Sequence, residues 1–270
     1  MKRKIKAIIW PVIYLVLIIN VCFSFALVFR SYYFKSIFVS GESMQPTLNN
    51  NHSDGKVDYG IIDVHRNVLS NLHRPENRFK IVITYYPFKM SNDYDPAYVP
   101  GETNTLNPDT CSYKIKRLYG LPGETIRFFV DEEIARQAKQ KAVDLNNKYA
   151  KDVQTLAAKA IHFYVTRDGE EFEPKIKFQR KIDIENFDNY NMEPRTLGEN
   201  EYWVMGDNYS VSSDCMSKGI KEPIYYDNLV GVLVAIEGRC NTDFIPSGTE
   251  AVSGSRYACK NREIHFPKFY

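Results

Sequence analysis

The sequence predicts a mainly β protein of antiparallel sheets, with an N-terminal transmembrane helix and an amphipathic helix inserted into the β region. Three observations predict it. Residues 7–29 carry no charged side chain. Nineteen tyrosines and sixteen phenylalanines against fourteen glycines suit half-buried, pleated strands. Apolar residues at three- and four-residue spacing mark one helix over 131–161. At 270 residues the chain can bury a full core in one soluble domain that carries an insertion. A formal charge of +2, with no basic block interleaved with aromatics, gives no reason to expect nucleic acid. Five scattered histidines, with no His-Glu-x-x-His or Cys-x-x-Cys pair, lead us to expect neither a metal nor another cofactor.

Residues 1–6 form a basic tail with Lys2, Arg3, Lys4 and Lys6, and 7–29 form the anchor. At ~1.5 Å per residue this run reaches across a hydrocarbon core of ~30 Å. Pro11 lies near its start, where a missing amide is tolerated, and Trp10 and Tyr14 suit an interface. Ser24-Phe25-Ala26 would also serve as a cleavage site of a secretory leader, but Leu27 to Phe29 continue the apolar run beyond it. Retention as an anchor is the expectation. Positive charge ahead of the span holds the amino end in the cytoplasm and puts everything after Arg30 outside.

A first β part is expected over 30–130. Ser31 to Val39, rich in aromatics, reads either as a strand entering the core or as an apolar surface resting on lipid headgroups. Ser40 to Leu48 holds two serines, a turn glycine and a proline, and a serine in such a turn is a nucleophile only if a base lies nearby. Residues 49–75 read as loops around a short segment at Tyr59 to Val64, with His65 and His73 on the surface. Lys80 to Tyr86 is a strand ended by Pro87, and Met90 to Thr110 is a long polar loop suited to a mobile flap. Lys114 and Lys116 share one face of the next strand and Ile115 takes the other.

The insertion spans 131–200. Ile134, Ala138, Ala142, Leu145, Tyr149, Val153, Leu156 and Ala160 form the stripe of a single helix, expected to pack on its own domain rather than on a partner. Phe163 to Val165 and Phe172 onward form a hairpin turned at Asp168-Gly169. No chemistry is assigned to 178–194. The second β part, 201–270, starts with the strand Glu201 to Met205 and continues with an apolar strand at Leu229 to Ile236. Asn51-His52-Ser53 and Asn208-Tyr209-Ser210 match glycosylation acceptors by chance.

Three segments occur in a fixed order. They are Ser43-Met44-Gln45-Pro46-Thr47, then Lys116-Arg117 with Gly120-Leu121-Pro122-Gly123-Glu124, then Met205-Gly206-Asp207-Asn208 with Ser212-Ser213-Asp214. Together they resemble the type I signal peptidases, membrane-anchored enzymes that use a serine and a lysine. The resemblance implies the signal-peptidase-like β fold, with Ser43 as nucleophile, Lys116 as general base and Ser212 orienting the lysine. It further implies an oxyanion contact from the Ser43 amide beside Gly41, structural roles for Met44 and Gly206, and an ion pair between Arg117 and Asp207. It lets the strand containing Ile81, Val82 and Ile83 line the substrate cleft, where an extended peptide adds by main-chain hydrogen bonds. Asp214 lacks the arginine the family carries two residues later, because Met216 stands there, and Tyr209 and Ser210 replace residues that are usually charged.

A lysine can act as a base only when neutral. Lowering its ordinary value of ~10.4 to the ~7–8 suited to catalysis costs ~4 kcal/mol and demands burial. Lys116 is therefore expected to be buried and Lys114 not. The implied activity is removal of signal peptides from exported preproteins with small residues before the cut, at the outer face of the inner membrane and in contact with the lipid bilayer. Two alternatives stand beside it. One is a conjugation-system peptidase that matures or cyclises a pilin, and the other is a catalytically inert anchored assembly protein. Nothing in the sequence sets an oligomeric state. Cys22 lies in the span, and the four outer cysteines allow three pairings, of which Cys240 with Cys259 is expected, with free thiols or a pairing that involves Cys215 as the alternatives.

Overall fold

The charge-free run forms α1, Lys2–Tyr33. Within it Trp10–Tyr33 is long and apolar enough to cross a bilayer. Its large apolar side chains point outward, Phe25 being 71% exposed, so this segment needs an apolar surrounding that the rest of the chain does not supply. The arrangement is compatible with a single-pass membrane protein. The computed structural model describes residues 2–39, 41–49, 55–85, 99, 113–176, 182–217, 221–244 and 257–270. Most of the expected flap at 90–110 lies outside them.

Two antiparallel sheets carry the remainder. After α1 come β1 (Phe34–Phe38), β2 (Lys56–Asp63), the short helix α2 (Arg66–Ser70), β3 (Ile81–Tyr85), β4 (Tyr113–Gly120) and β5 (Thr125–Val130). There follow α3 (Glu132–Asp144), α4 (Lys151–Ala160), β6 (Ile161–Arg167), β7 (Glu170–Phe172) and β8 (Met192–Thr196). The chain closes with β9 (Glu201–Met205), β10 (Ile224–Tyr225), β11 (Leu229–Phe244) and β12 (Tyr257–Phe269). The first sheet runs β1-β2-β11-β3-β4-β9-β10, with β12 also on β11, and the second runs β7-β6-β5-β8. Ser31 to Val39 thus splits between the end of α1 and the edge strand β1, whose Phe34 pairs with Asp63.

Lys114 and Lys116 share a face of β4, and burial deepens along the strand from its start. Lys116 is only 2% exposed while Lys114 is half-buried, and β4 lies between β3, with Val82 opposite Lys116, and β9, with Met205 opposite Arg117. The turn after β4 is tied down by Glu124, a fully buried carboxylate. It accepts the Leu121 N–H at 2.9 Å and pairs with Arg78 and, at 3.1 Å, with Arg167. Gly123 takes a positive φ of 78° there, which a side chain would resist. This is the physical content of the Gly-Leu-Pro-Gly-Glu segment.

The insertion differs from a single helix. Asp131 caps α3 by accepting the Ile134 N–H at 3.0 Å, and Ala135, Ala138 and Ala142 are buried. Helix α3 then stops. Asn146 adopts φ 45° and the Asn147 N–H reaches back to the Ala142 carbonyl at 3.0 Å, a left-handed C-terminal cap. Helix α4 buries Val153, Ala157 and Ala160, while Leu145 and Tyr149, which the periodic reading places on the buried stripe, are 49% and 54% exposed at the bend. Asn-Asn in mid-pattern outweighs the periodicity because asparagine tolerates the left-handed region. The β6–β7 hairpin turns at Asp168 and Gly169, both at positive φ, as Asp-Gly demands.

The last described residues of the chain form a strand. β12 pairs with the far half of β11, and the Tyr270 N–H bonds the Val234 carbonyl at 3.0 Å. Cys240 is disulfide-bonded, whereas Cys22 and Cys215 are free thiols. Its partner is thus Cys111 or Cys259, whose side chains lie outside the described residues, and the alternative pairing through Cys215 is overturned.

Candidate active site

Residues 41–49 form a tight turn that lifts Ser43 above the sheet while its flanks sink into it. Met44 and Leu48 are fully buried against Val39, Ile62, Ile81, Ile83 and Leu233. The turn closes on itself through Leu48 N–H to the Met44 carbonyl at 2.9 Å. Asn49, at φ 54°, fastens the far end: its side chain donates to the carbonyls of Val39 and Gly41, and it exchanges bonds of 2.6 Å with Asp58. Ser43 is left half-buried with Gly41 exposed in front of it, and no atom lies within 4 Å of where a Gly41 Cβ would stand.

From the sheet below, Lys116 brings its nitrogen to 2.9 Å from Ser43 Oγ. Burial pushes the lysine down from an ordinary 10.5 to about 8. The negative charge of Asp214 opposes that fall most strongly, the neighbouring Lys114 adds to it, and Cys215 and Asp207 oppose it more weakly. A large part of this amine is therefore neutral near pH 8, and a neutral amine at this distance accepts the serine proton.

The segment after β9 wraps over the pair. The Asn208 N–H donates to the Ser43 carbonyl at 2.8 Å, and Asn208 Nδ2 to the Glu42 carbonyl at 3.1 Å. Asp207 is fully buried and faces Arg117 side-on, Nε to Oδ1 at 2.7 Å and Nη2 to Oδ2 at 2.5 Å. Arg117 Nη1 continues to the Phe79 carbonyl at 2.7 Å, and Thr47 Oγ1 donates to Asp207 Oδ2 at 2.5 Å. One buried ion pair thus joins β4, the post-β9 segment and the serine turn. Asp214, also buried, accepts the N–H groups of Gly206 at 2.8 Å and Met216 at 3.0 Å.

A serine held against a buried, partly neutral lysine, on a β scaffold behind an apolar N-terminal helix, is the arrangement the ordered segments imply. Residues 12–236 match the family model described as signal peptidase, peptidase S26. The chain belongs to the S26 signal peptidase family. No individual curated protein matches it. Membership carries a signal peptidase-type function and a serine peptidase activity.

In this S26 chain the expected site residues fall into three groups. Ser43, Lys116, Met44, Gly41, Arg117, Gly206, Asp207 and Asp214 converge within the serine turn and the strands and segment beneath and beside it. Ser212 is beside them but does not bond the lysine. Its hydroxyl has no hydrogen-bond partner among the described residues; it lies against Gly206 and close enough to Asp214 to favour the charged carboxylate. Ile81, Val82 and Ile83 require a correction. They are buried, and β3 is paired on both sides, Ile83 with Gly231 of β11 and with Ile115 of β4. With neither edge of β3 open to a peptide, Ile81 and Ile83 pack under Met44 and Leu48 of the serine turn, and Val82 faces the main core on the other side of the strand. The strand that passes the site is β4, which runs on past the end of β9 at Met205. Sequence reasoning missed Asn208, Thr47 and Asn49 as clamps on the serine turn. Asn208 was in view within Gly-Asp-Asn, but a side chain that fixes another segment's backbone leaves no local pattern.

Proposed function

We propose that the chain is a membrane-anchored serine endopeptidase that removes signal peptides from exported preproteins, with Ser43 as nucleophile and Lys116 as general base. One observation carries this reading: Ser43 Oγ lies 2.9 Å from the nitrogen of a lysine that burial holds at about 8. Neutral Lys116 takes the Ser43 proton as the oxygen attacks the peptide carbonyl. The developing oxyanion is met by the Ser43 N–H, for which no acceptor stands among the described residues. Lys116 then gives its proton to the leaving amine, and water, activated by the same amine, frees the acyl group from Ser43.

An extended peptide is accommodated along β4 beside Lys116, past the end of β9, with small side chains at the first and third positions before the cut, as in the family. Trp10–Tyr33 anchors the enzyme, and the basic residues before it keep the amino end in the cytoplasm, so that the site faces the outer side of the inner membrane. The test is cleavage of one exported precursor by membranes carrying wild type, Ser43→Ala or Lys116→Met. Wild type is expected to release the mature form and both variants to leave the precursor whole. Mature product from Ser43→Ala at the wild-type rate would overturn the assignment.

A further inference from the structure

Asp214 is a fully buried carboxylate with no side-chain cation bonded to it among the described residues. Two residues on, where the family pattern carries arginine, stands Met216, itself fully buried. The β4–β9 ladder ends at Arg117 with Met205, so Lys116 and Gly206 are the next residues beyond it on the two segments, and the Gly206 N–H is bonded to Asp214. Ser43 closes the same cluster, since its carbonyl lies 2.5 Å from where a Gly206 Cβ would stand and its hydroxyl meets Lys116.

We infer that Asp214 is a positioning residue that acts through Lys116: its carboxylate, facing the lysine across Gly206, stabilises the ammonium formed when Lys116 takes the Ser43 proton. This rests on the Ser43–Lys116 reading. In the step itself the Ser43 O–H bond breaks, its electron pair goes to the substrate carbonyl carbon, the proton goes to the lysine nitrogen, and Asp214 stays ionised throughout. In a family member with the arginine, that cation would neutralise much of the field. Met216 leaves it directed at Lys116.

The surrounding groups leave Asp214 as the charge that sets the lysine. Facing Lys116 are also Asp207, committed to Arg117, the like-charged Lys114, and the Cys215 thiol, which burial pushes far up and so keeps neutral. Facing Asp214 are Ser212, Cys215, Tyr190 and Tyr209, with Asp183 beyond the two tyrosines. Burial pushes both phenols up, so neither supplies charge near neutral pH. Burial also raises the Asp214 carboxyl, and the Lys116 charge is the largest effect drawing it back down.

The experiment is the pH dependence of kcat/KM for the full chain in detergent micelles, on a precursor peptide with alanine at the first and third positions before the cut. Asp214→Asn is expected to move the acid limb about 1 pH unit lower, the size of an opposite charge lost at close range. Its plateau is expected to fall about threefold, because a weaker base removes the proton less well. The two profiles then cross, the variant being the faster in acid and the slower in alkali. A uniform loss with an unmoved limb, as a merely structural role would give, overturns the inference. If Asp214→Asn does not fold, the 13C shift of the Asp214 carboxyl decides, expected ionised at neutral pH in wild type and protonated in Lys116→Met. A carboxyl in the same state in both overturns it. Failure of the dyad reading itself would look different: Ser43→Ala would cleave, or the wild-type profile would have no acid limb.

Discussion

Replacing Asp207 by asparagine strips the buried ion pair of its negative partner while keeping its shape. Arg117 and Asp207 side chains are 6% and 0% exposed, so the guanidinium left behind can recover little water. The amide keeps one acceptor for the two guanidinium N–H groups now bonded at 2.7 and 2.5 Å, and Thr47 Oγ1 competes for it. Breaking one side of a buried, hydrogen-bonded pair costs ~3–5 kcal/mol. At ~2–4 °C per kcal/mol for a domain of this size, the midpoint should fall on the order of 10 °C. The assay is thermal and denaturant unfolding of the detergent-solubilised chain, carried in Ser43→Ala to prevent self-cleavage. Arg117→Met with Asp207→Leu should recover most of the loss, because no charge is then stranded. A single-variant loss below ~1 kcal/mol would refute the reasoning, since it would mean that the guanidinium is solvated.

Gly206→Ala should abolish cleavage while leaving most of the fold intact. Its methyl would overlap the Ser212 hydroxyl and approach the Ser43 carbonyl to 2.5 Å, and a backbone oxygen held by Asn208 cannot swing aside. Loss of at least ~100-fold in kcat/KM is expected for a nucleophile displaced by ~1 Å, and wild-type rates would contradict the packing. Lys116→Met should stabilise the protein while inactivating it. A folded-state value depressed from 10.5 to about 8 means that the unfolded chain binds the proton more tightly. The penalty is present in full below about 8, shrinks as pH rises from there to 10.5, and vanishes above. The methionine variant should therefore gain at most ~3 kcal/mol near pH 6, less the cost of leaving Asp214 without its counter-charge, and lose that advantage in strong alkali, read by denaturant midpoints at each pH.

What the sequence made legible was whatever depends on residue type and local period. The charge-free run, the β4 strand that puts Lys114 and Lys116 on one face, and the Asp168-Gly169 hairpin are local effects. The Arg117–Asp207 pair became legible through the ordered segments, because only a resemblance could link residues so far apart in the chain. What stayed hidden was set by the sheet. β3 reads as a cleft strand until β11 is seen on its other side. The break between α3 and α4 was signalled by Asn146-Asn147, yet periodicity across it was too regular to betray a bend. β12 was masked by a glycine- and serine-rich approach, and it earns its place by pairing with β11. Ser212 is the converse case, a residue whose family role implied a contact that packing against Gly206 does not make.

The claim at the centre is an uncharged amine beside the Ser43 hydroxyl, and direct titration of the Lys116 nitrogen tests it. With 15N-lysine in the full-length chain in micelles, and Lys116→Met to assign the resonance, the midpoint should fall at about 8, more than two pH units below an ordinary 10.5. A midpoint at the ordinary value would contradict the account, because the lysine would then hold its proton throughout the range in which the serine must lose one.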